Sequence, residues 1–354
     1  MRIAFLAPIK PPDHPIASGD RLIARNLLRA LEAAGHEPVL ASRFIAYGKR
    51  SQGLGERKAA ALAEAVAAID RLRPSPPDLV LAYHPYCKAP DWIGPRIAAA
   101  FAAPYVTVEA ARASEHRPTW RAEAEAGIRA ADLHIWLKPT DRDRLLSLLG
   151  SDAPLAHLPP FVDVAALDGI HGAAKAGATP RVLVVGQMRR GKKRRNHELA
   201  AAALARVCEP FEALVLGDGP ERGALEPLYP RGTRFEGAVS HERVMREMRG
   251  ANMLLWPGYR EPIGMVYLEA AAAGIPSVAT SDMGVPLVVR DERTGLLSPP
   301  DDAEALAANV ERLLRAPELA FTLGRNGRSN VMMHHSLDSA TMALQSILAR
   351  FDRS

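Results

Sequence analysis

Up to Gly150 the chain alternates short apolar runs with longer segments whose apolar residues recur every three or four places. Ile3–Pro8 reads as a buried strand, Pro11–Ser18 as a polar loop, and Asp20–Ala34 as a helix with Leu22, Ile23, Asn26, Leu27, Ala30 and Leu31 on one face, ended by Gly35. Strands follow at Val39–Ser42, Asp78–Tyr83, Pro104–Val108 and Ile135–Leu137, with helices at Ala59–Leu72 and Asp141–Leu149 and alanine-rich helical stretches before the later strands. Such βαβ wording predicts a parallel sheet with helices on its faces. The segment 166–180 is small, weakly charged and without sustained periodicity, so it reads as a linker.

The same alternation then restarts. Strands are predicted at Arg181–Gly186, Ala213–Gly217, Met253–Trp256 and Ser277–Thr280, and helices at Glu198–Val207, Val244–Arg249, Gly264–Ala273 and Asp302–Leu314. Asp301 with Glu304 three places later reads as a capping box, and Asn330–Ala349 as a last helix. The fold class is therefore α/β: two doubly wound, Rossmann-like domains over 1–165 and 181–329 with an intervening cleft, and a helical tail over 330–354.

Composition narrows the function classes. The 354 residues suffice for two packed domains, and 48% hydrophobic with 24% charged residues is ordinary for a globular protein. Two distant cysteines, Cys87 and Cys208, offer neither a zinc spacing nor a disulfide framework, so the chain reads as a protein of a reducing, cytoplasmic compartment. The opening MRIAFLAPI is a strand rather than a signal peptide, and no run of 18 apolar residues spans a membrane. A net charge of +5 admits anionic partners, but with 5% aromatic residues and no basic–aromatic alternation nucleic acid is excluded. Sugar nucleotides and a weak peripheral contact with an anionic membrane stay open. No Asp-x-Asp clamp stands out, and no metal or cofactor is expected.

The densest chemistry lies in WPGYREPIGMVYLEAAAAGIP, residues 256–276. Pro262 places Glu261 in a loop entering a helix, and Glu269 falls eight positions later. A continuous helix would separate the two carboxylates by about 12 Å, with the free amides of the helix start available to phosphate. That spacing suits a ligand with a diphosphate between two hydroxyl-bearing parts. A second constellation is Gln187–Arg195, QMRRGKKRR, with six basic residues after a strand. Converging positive charge there offsets charge that develops on a departing diphosphate.

Glu261–Ala270, read as EPIGMVYLEA, resembles the E-x7-E signature of the retaining glycosyltransferases of family 4. Ala273–Thr280, Gly295-Leu296-Leu297 and Pro299–Asp302 are similar to the motifs that follow it in that family. The resemblance implies a GT-B enzyme that moves a hexose, with retention and without a metal, from a UDP-, GDP- or ADP-linked sugar to a carbohydrate, glycolipid or metabolite hydroxyl. It implies an acceptor-side first domain, a nucleotide-sugar-binding second domain and a terminal helix that packs back on the first.

By the same resemblance Glu261 accepts from donor hexose hydroxyls, Glu269 from ribose hydroxyls, and the Met265 and Val266 amides after Gly264 meet the distal phosphate. Ser18 and Gly19 match a loop that closes over the diphosphate. Gly217 and Gly237 lie beside the nucleotide; Glu242, read from its position alone, bonds either to a base or to nothing. The family's phosphate arginine falls on Gln187 and its lysine on Lys192 or Lys193, which leaves Arg189 or Arg190 to supply the missing arginine. On the acceptor side the family's histidine falls on Glu109, with His84 and His116 as further polar groups. Arg96, Arg112, Arg117 and Arg121 read either as a surface for a lipid-linked acceptor or as solvated faces. A nucleotide-sugar epimerase and a non-catalytic sugar-nucleotide-binding protein remain alternatives.

Overall fold

The computed structural model describes residues 1–16, 18–48, 53–110, 118–164 and 179–352. Ala17, His116, Arg112, Arg117 and residues 166–178 of the linker segment lie outside the described residues. The chain divides into two compact units, Met1–Pro160 with Leu337–Ser354, and Phe161–Ser336.

In the first unit the strands β1 (Arg2–Leu6), β2 (Glu37–Leu40), β3 (Leu79–Tyr83), β4 (Tyr105–Val108), β5 (Leu133–Trp136) and β6 (Leu155–His157) form one sheet in the order β2-β1-β3-β4-β5-β6, parallel throughout. β3 and β4 are buried at every position, as strands covered on both faces must be. Helices α1 (Gly19–Ala33), α2 (Leu54–Leu72), α3 (Gly94–Phe101), α4 (Pro118–Arg129) and α5 (Pro139–Leu149) intervene. α1 buries Ala24, Leu27, Ala30 and Leu31, the spacing of one helical face.

The second unit repeats the plan with β7 (Arg181–Val185), α6 (Lys192–Leu204), β8 (Glu212–Leu216), α7 (Arg222–Leu225), β9 (Arg234–Gly237), α8 (His241–Arg249), β10 (Met253–Leu255), α9 (Met265–Ala272), β11 (Ser277–Thr280), α10 (Val285–Val288), β12 (Gly295–Ser298), α11 (Ala303–Arg315) and α12 (Pro317–His334). Its sheet runs β12-β11-β10-β7-β8-β9, again parallel. A last helix, α13 (Leu337–Leu348), belongs to the first unit, where it packs on α1 and Gln345 donates to the Ala34 carbonyl at 3.4 Å.

Several local expectations are corrected. The single helix over Asn330–Ala349 is two, because α12 ends at His334 and α13 starts at Leu337. The expected capping box sits one residue late: Asp302 is the N-cap and accepts from the Ala305 amide at 2.9 Å, while Asp301 adopts a left-handed φ of 64° and pairs with Arg195. The short strands β6, β9 and β12 were not anticipated. The largest change concerns α6, which begins at Lys192 rather than Glu198, so four of the six basic residues of the run are helical.

Candidate functional site

In each sheet the chain leaves two adjacent strands in opposite directions, and the crevice outside their carboxyl ends is where open α/β sheets hold ligands. In the second unit those strands are β7 and β10, paired through Met253↔Val182 and Leu254↔Leu183. The β7 loop leads to α6 and the β10 loop to α9, so both helices present their N-termini at one edge. Neither start has a side-chain cap: Gly191 precedes α6 and Gly264 precedes α9. Gly264 is there for a reason. It holds φ 76°, and a Cβ would collide with the Tyr267 ring. The Met265 and Val266 amides, behind it, find no backbone partner among the described residues.

One buried side chain ties the two loops. Asn196, fully enclosed, accepts from the Gly258 and Tyr259 amides at 2.6 and 2.9 Å and donates to the Lys192 carbonyl at 2.8 Å. Its neighbour His197 bonds Tyr229 Oη at 2.8 Å and the Gly186 carbonyl at 3.2 Å, and burial pushes its pKa down to about 4. That scaffold brings Lys193 Nζ to 2.8 Å from Glu261 Oε2 and over the Trp256 ring at 5.2 Å from its centroid. Lys192 stays exposed, with the Arg260 carbonyl at 3.5 Å. Lys193, therefore, is the lysine that meets Glu261.

Glu269 is buried within α9, and its Oε1 receives His241 Nε2 at 2.9 Å. The bond to this carboxylate raises the His241 pKa above its usual value. Only Met265–Glu269 of the eight-residue interval is helical, so the carboxylates are not spaced along one continuous helix. Gly217, at φ 146°, lets β8 end against the Gly186 carbonyl, where a Cβ would clash, and its amide donates to Gly237 O at 2.9 Å. Gln187 is half-buried and Arg189 exposed. Arg190 turns its guanidinium to Glu221 at 3.0 Å, and Arg194 binds the same carboxylate. Glu242 is exposed and pairs with Arg246, so the contact near Glu269 comes from His241 instead.

The first unit's diverging strands are β1 and β3. Its edge is built differently, around buried charge. Glu109 takes Tyr83 Oη at 3.2 Å on one oxygen and Lys138 Nζ at 2.7 Å on the other, and Lys138 also pairs with Asp141. His84 Nδ1 lies 3.1 Å from Asp20 Oδ1. Burial opposes charge on all of them. Pairing nevertheless prevails for four: Glu109 and Asp20 are held below their usual values, and Lys138 and His84 above theirs. For Asp141 burial prevails and pushes the carboxyl up. His84 and Glu109, each just past the end of its strand, adopt left-handed φ values of 57° and 55°, a strain of roughly 1–2 kcal/mol each.

Gly19 needs no special backbone freedom. Gly19 is the first residue of α1, its φ is outside the left-handed region, and a Cβ would touch nothing. Ser18 is the N-cap, its hydroxyl accepting from the Arg21 amide at 3.2 Å.

Residues 179–316 match the family described as Glycosyl transferases group 1. Over that region the chain is similar to the glycosyltransferases of this group, and its two-sheet α/β architecture is of the GT-B type. It is 33% identical over 166 residues to the alpha-D-kanosaminyltransferase of Streptomyces kanamyceticus, a match that covers 46% of this chain and 43% of that one. The chain thus spans less than half the length of the curated relatives first matched. Its fold is shared with a sucrose-phosphate synthase of Thermosynechococcus elongatus (TM-score 0.77, 22% identity, covering 99% and 98% of the two chains). It is shared also with an Anabaena protein solved with UDP and glucose (TM-score 0.69, 15% identity, covering 99% and 100%).

The second unit brings Glu261, Lys193, Gly264, Met265 and Val266 to one edge, with Glu269 further along α9. Sequence reasoning missed Asn196, His241, Asp20, Lys138 and Asp141. Lys138 and Asp141 had one signal, a charged pair flanking the proline that opens α5 just past a strand. Among the described residues no group of three or more His, Cys, Asp or Glu is placed to hold a metal, and no helix is long and apolar enough to cross a membrane.

Proposed function

We propose that this chain transfers a hexose from a nucleoside-diphosphate sugar to an acceptor hydroxyl, with retention and without a metal ion. The observation that carries this reading is the contact of Lys193 with Glu261 between two uncapped helix starts at the β7/β10 edge. The glycosidic bond breaks with its electron pair going to the diphosphate oxygen. The acceptor oxygen bonds the anomeric carbon on the same face, and its proton passes to the departing phosphate. Lys193 and the open amides of α6 and α9 offset the charge that develops, a large effect in a partly dry site. Glu261 exchanges Lys193 for sugar hydroxyls, and Glu269 accepts from the ribose.

A relative named as a kanosaminyltransferase and a fold neighbour solved with UDP and glucose support a sugar donor of this class. We place the activity in the cytoplasm, with at most weak peripheral contact with a membrane, in surface-polysaccharide, glycolipid or glycosylated-metabolite synthesis. A second reading, a non-catalytic sugar-nucleotide binder, draws on Arg190 being engaged by Glu221 and so not standing in for the arginine absent at Gln187. A screen of UDP-, GDP- and ADP-sugars for binding and hydrolysis, with the anomeric product followed by NMR, tests the proposal. Binding with turnover and retention is the expected result; binding without turnover favours the second reading, and no binding defeats both.

A further inference from the structure

We propose that His84 is an acceptor-binding residue oriented by Asp20: the neutral imidazole donates from Nδ1 to the Asp20 carboxylate and accepts, through Nε2, the hydrogen bond of the incoming hydroxyl. The inference rests on the transferase reading above and adds to it a residue pair and a protonation state.

The geometry begins with the backbone. The His84 amide still belongs to the sheet, donating to the Val108 carbonyl at 2.7 Å, and the left-handed turn at His84 then directs the chain out of β3. Asp20 sits in the first turn of α1, where the helix dipole favours a carboxylate. The Nδ1–Oδ1 separation of 3.1 Å fixes the neutral tautomer, because a carboxylate can only accept. The lone pair is thereby left on Nε2. No group among the described residues bonds Nε2, and it is absent from the buried atoms that lack a partner, so solvent reaches it. The ring lies 5.6 Å from that of Tyr83 and 5.3 Å from that of Tyr86, which limits its rotation.

Glu109, which stands where the family carries its histidine, is unsuited to that task. Both of its oxygens are occupied, it is 4% exposed, and its charge is matched by Lys138. His84 has a side chain 20% exposed, and Asp20 one of 37%. The function thus moves from the end of β4 to the end of β3.

Among the described residues, the groups that act on His84 are Asp20 from α1, Glu109 after β4 and Lys138 after β5, with Asp141 of α5 and Tyr83 also nearby, and Lys10 acts on Asp20. Burial opposes the imidazolium, but the Glu109 and Asp20 carboxylates outweigh it and lift the His84 pKa above its ordinary value. Below that pKa Nε2 carries a proton and can no longer accept. Transfer should therefore show an acid limb set by His84.

The test combines 15N-histidine NMR of the full chain with pH–rate profiles for turnover of UDP-, GDP- and ADP-sugars. Expected are the Nδ1–H tautomer at high pH, a His84 titration above the ordinary histidine range, and an acid limb of kcat/KM at that same pH. In D20N the titration and the limb should move together to lower pH, with a plateau reduced about 10- to 100-fold. H84Q, which retains an oxygen acceptor, should outperform H84A and lack the limb. An Nε2–H tautomer, a limb that stays in H84Q, or no turnover despite intact nucleoside-diphosphate binding would overturn the proposal. Loss of nucleotide binding itself would instead defeat the transferase reading on which it rests.

Discussion

The two sheets share parallel connectivity and a diverging strand pair, yet their carboxyl edges hold opposite kinds of chemistry. At the β7/β10 edge the polar groups are left open: two uncapped helix starts, exposed Lys192 and Arg189, and a Lys193–Glu261 pair that a ligand can divide. At the first unit's carboxyl edge, beside β3, the charges are buried and pair internally, Glu109 with Tyr83 and Lys138, and Lys138 with Asp141. Topology sets where a site can form. Whether the edge waits for an anion or stores a preassembled ionic network depends on a few side chains at strand ends.

The sharpest way to break this comparison is to remove one glutamate from each edge. Glu109→Ala leaves the Lys138 ammonium buried beside Asp141 with its main partner gone, and should cost about 3–5 kcal/mol in chemical denaturation of the first unit. A change under 1 kcal/mol would mean that the network is not an internally paired one. Glu261→Ala should do the reverse. Its melting profile should stay near wild type while donor turnover falls roughly 100-fold, the effect of about 2–3 kcal/mol of unpaired sugar hydroxyls. Wild-type kinetics in E261A would remove Glu261 from the site.

Acid should separate the histidines by sign. His134 and His197 are buried, one in each unit, and both pKa values are pushed down to about 4. The unfolded chain takes up these protons from about pH 6.5 downward and the folded chain does not. Each therefore withdraws stability as pH falls from 6.5 to 4, by up to about 3 kcal/mol. His84, raised instead, contributes stability below pH 6.5 that is lost as pH rises through its folded value. Denaturation midpoints of H197N against wild type at pH 7 and pH 4.5 check the first effect. The variant should lose less than wild type on acidification, and equal losses would show that His197 titrates normally in the fold.

How far the edges could be read from sequence follows from how local they are. Glu261, Gly264 and Glu269 occur in one loop and the helix after it, so their order is visible along the chain. Asn196 acts 62 residues away on Gly258, and His241 acts 28 away on Glu269. Those pairings arise only when parallel strands with long crossovers come together. The start of α6 was hidden for another reason. Cations in a first turn oppose the helix dipole, so Lys192–Arg195 looks like a loop until the turn is seen as an anion site whose charge a ligand would complete. The break between α12 and α13 was missed because helical patterning continues on both sides of His335-Ser336. In the first unit Glu109 was found by position alone, and its partners Tyr83, on β3, and Lys138, just past β5, are distant along the chain.

The most direct test of the central claim, that the β7/β10 edge binds a diphosphate through Lys193, is calorimetric titration of K193A and K192A. UDP, GDP and ADP should be compared with their free nucleosides. K193A should weaken the diphosphate about 10-fold, close to 1.4 kcal/mol, and leave the nucleoside nearly unchanged, with K192A showing a smaller loss. Equal losses for nucleotide and nucleoside in K193A, or unaltered diphosphate affinity, would contradict the account.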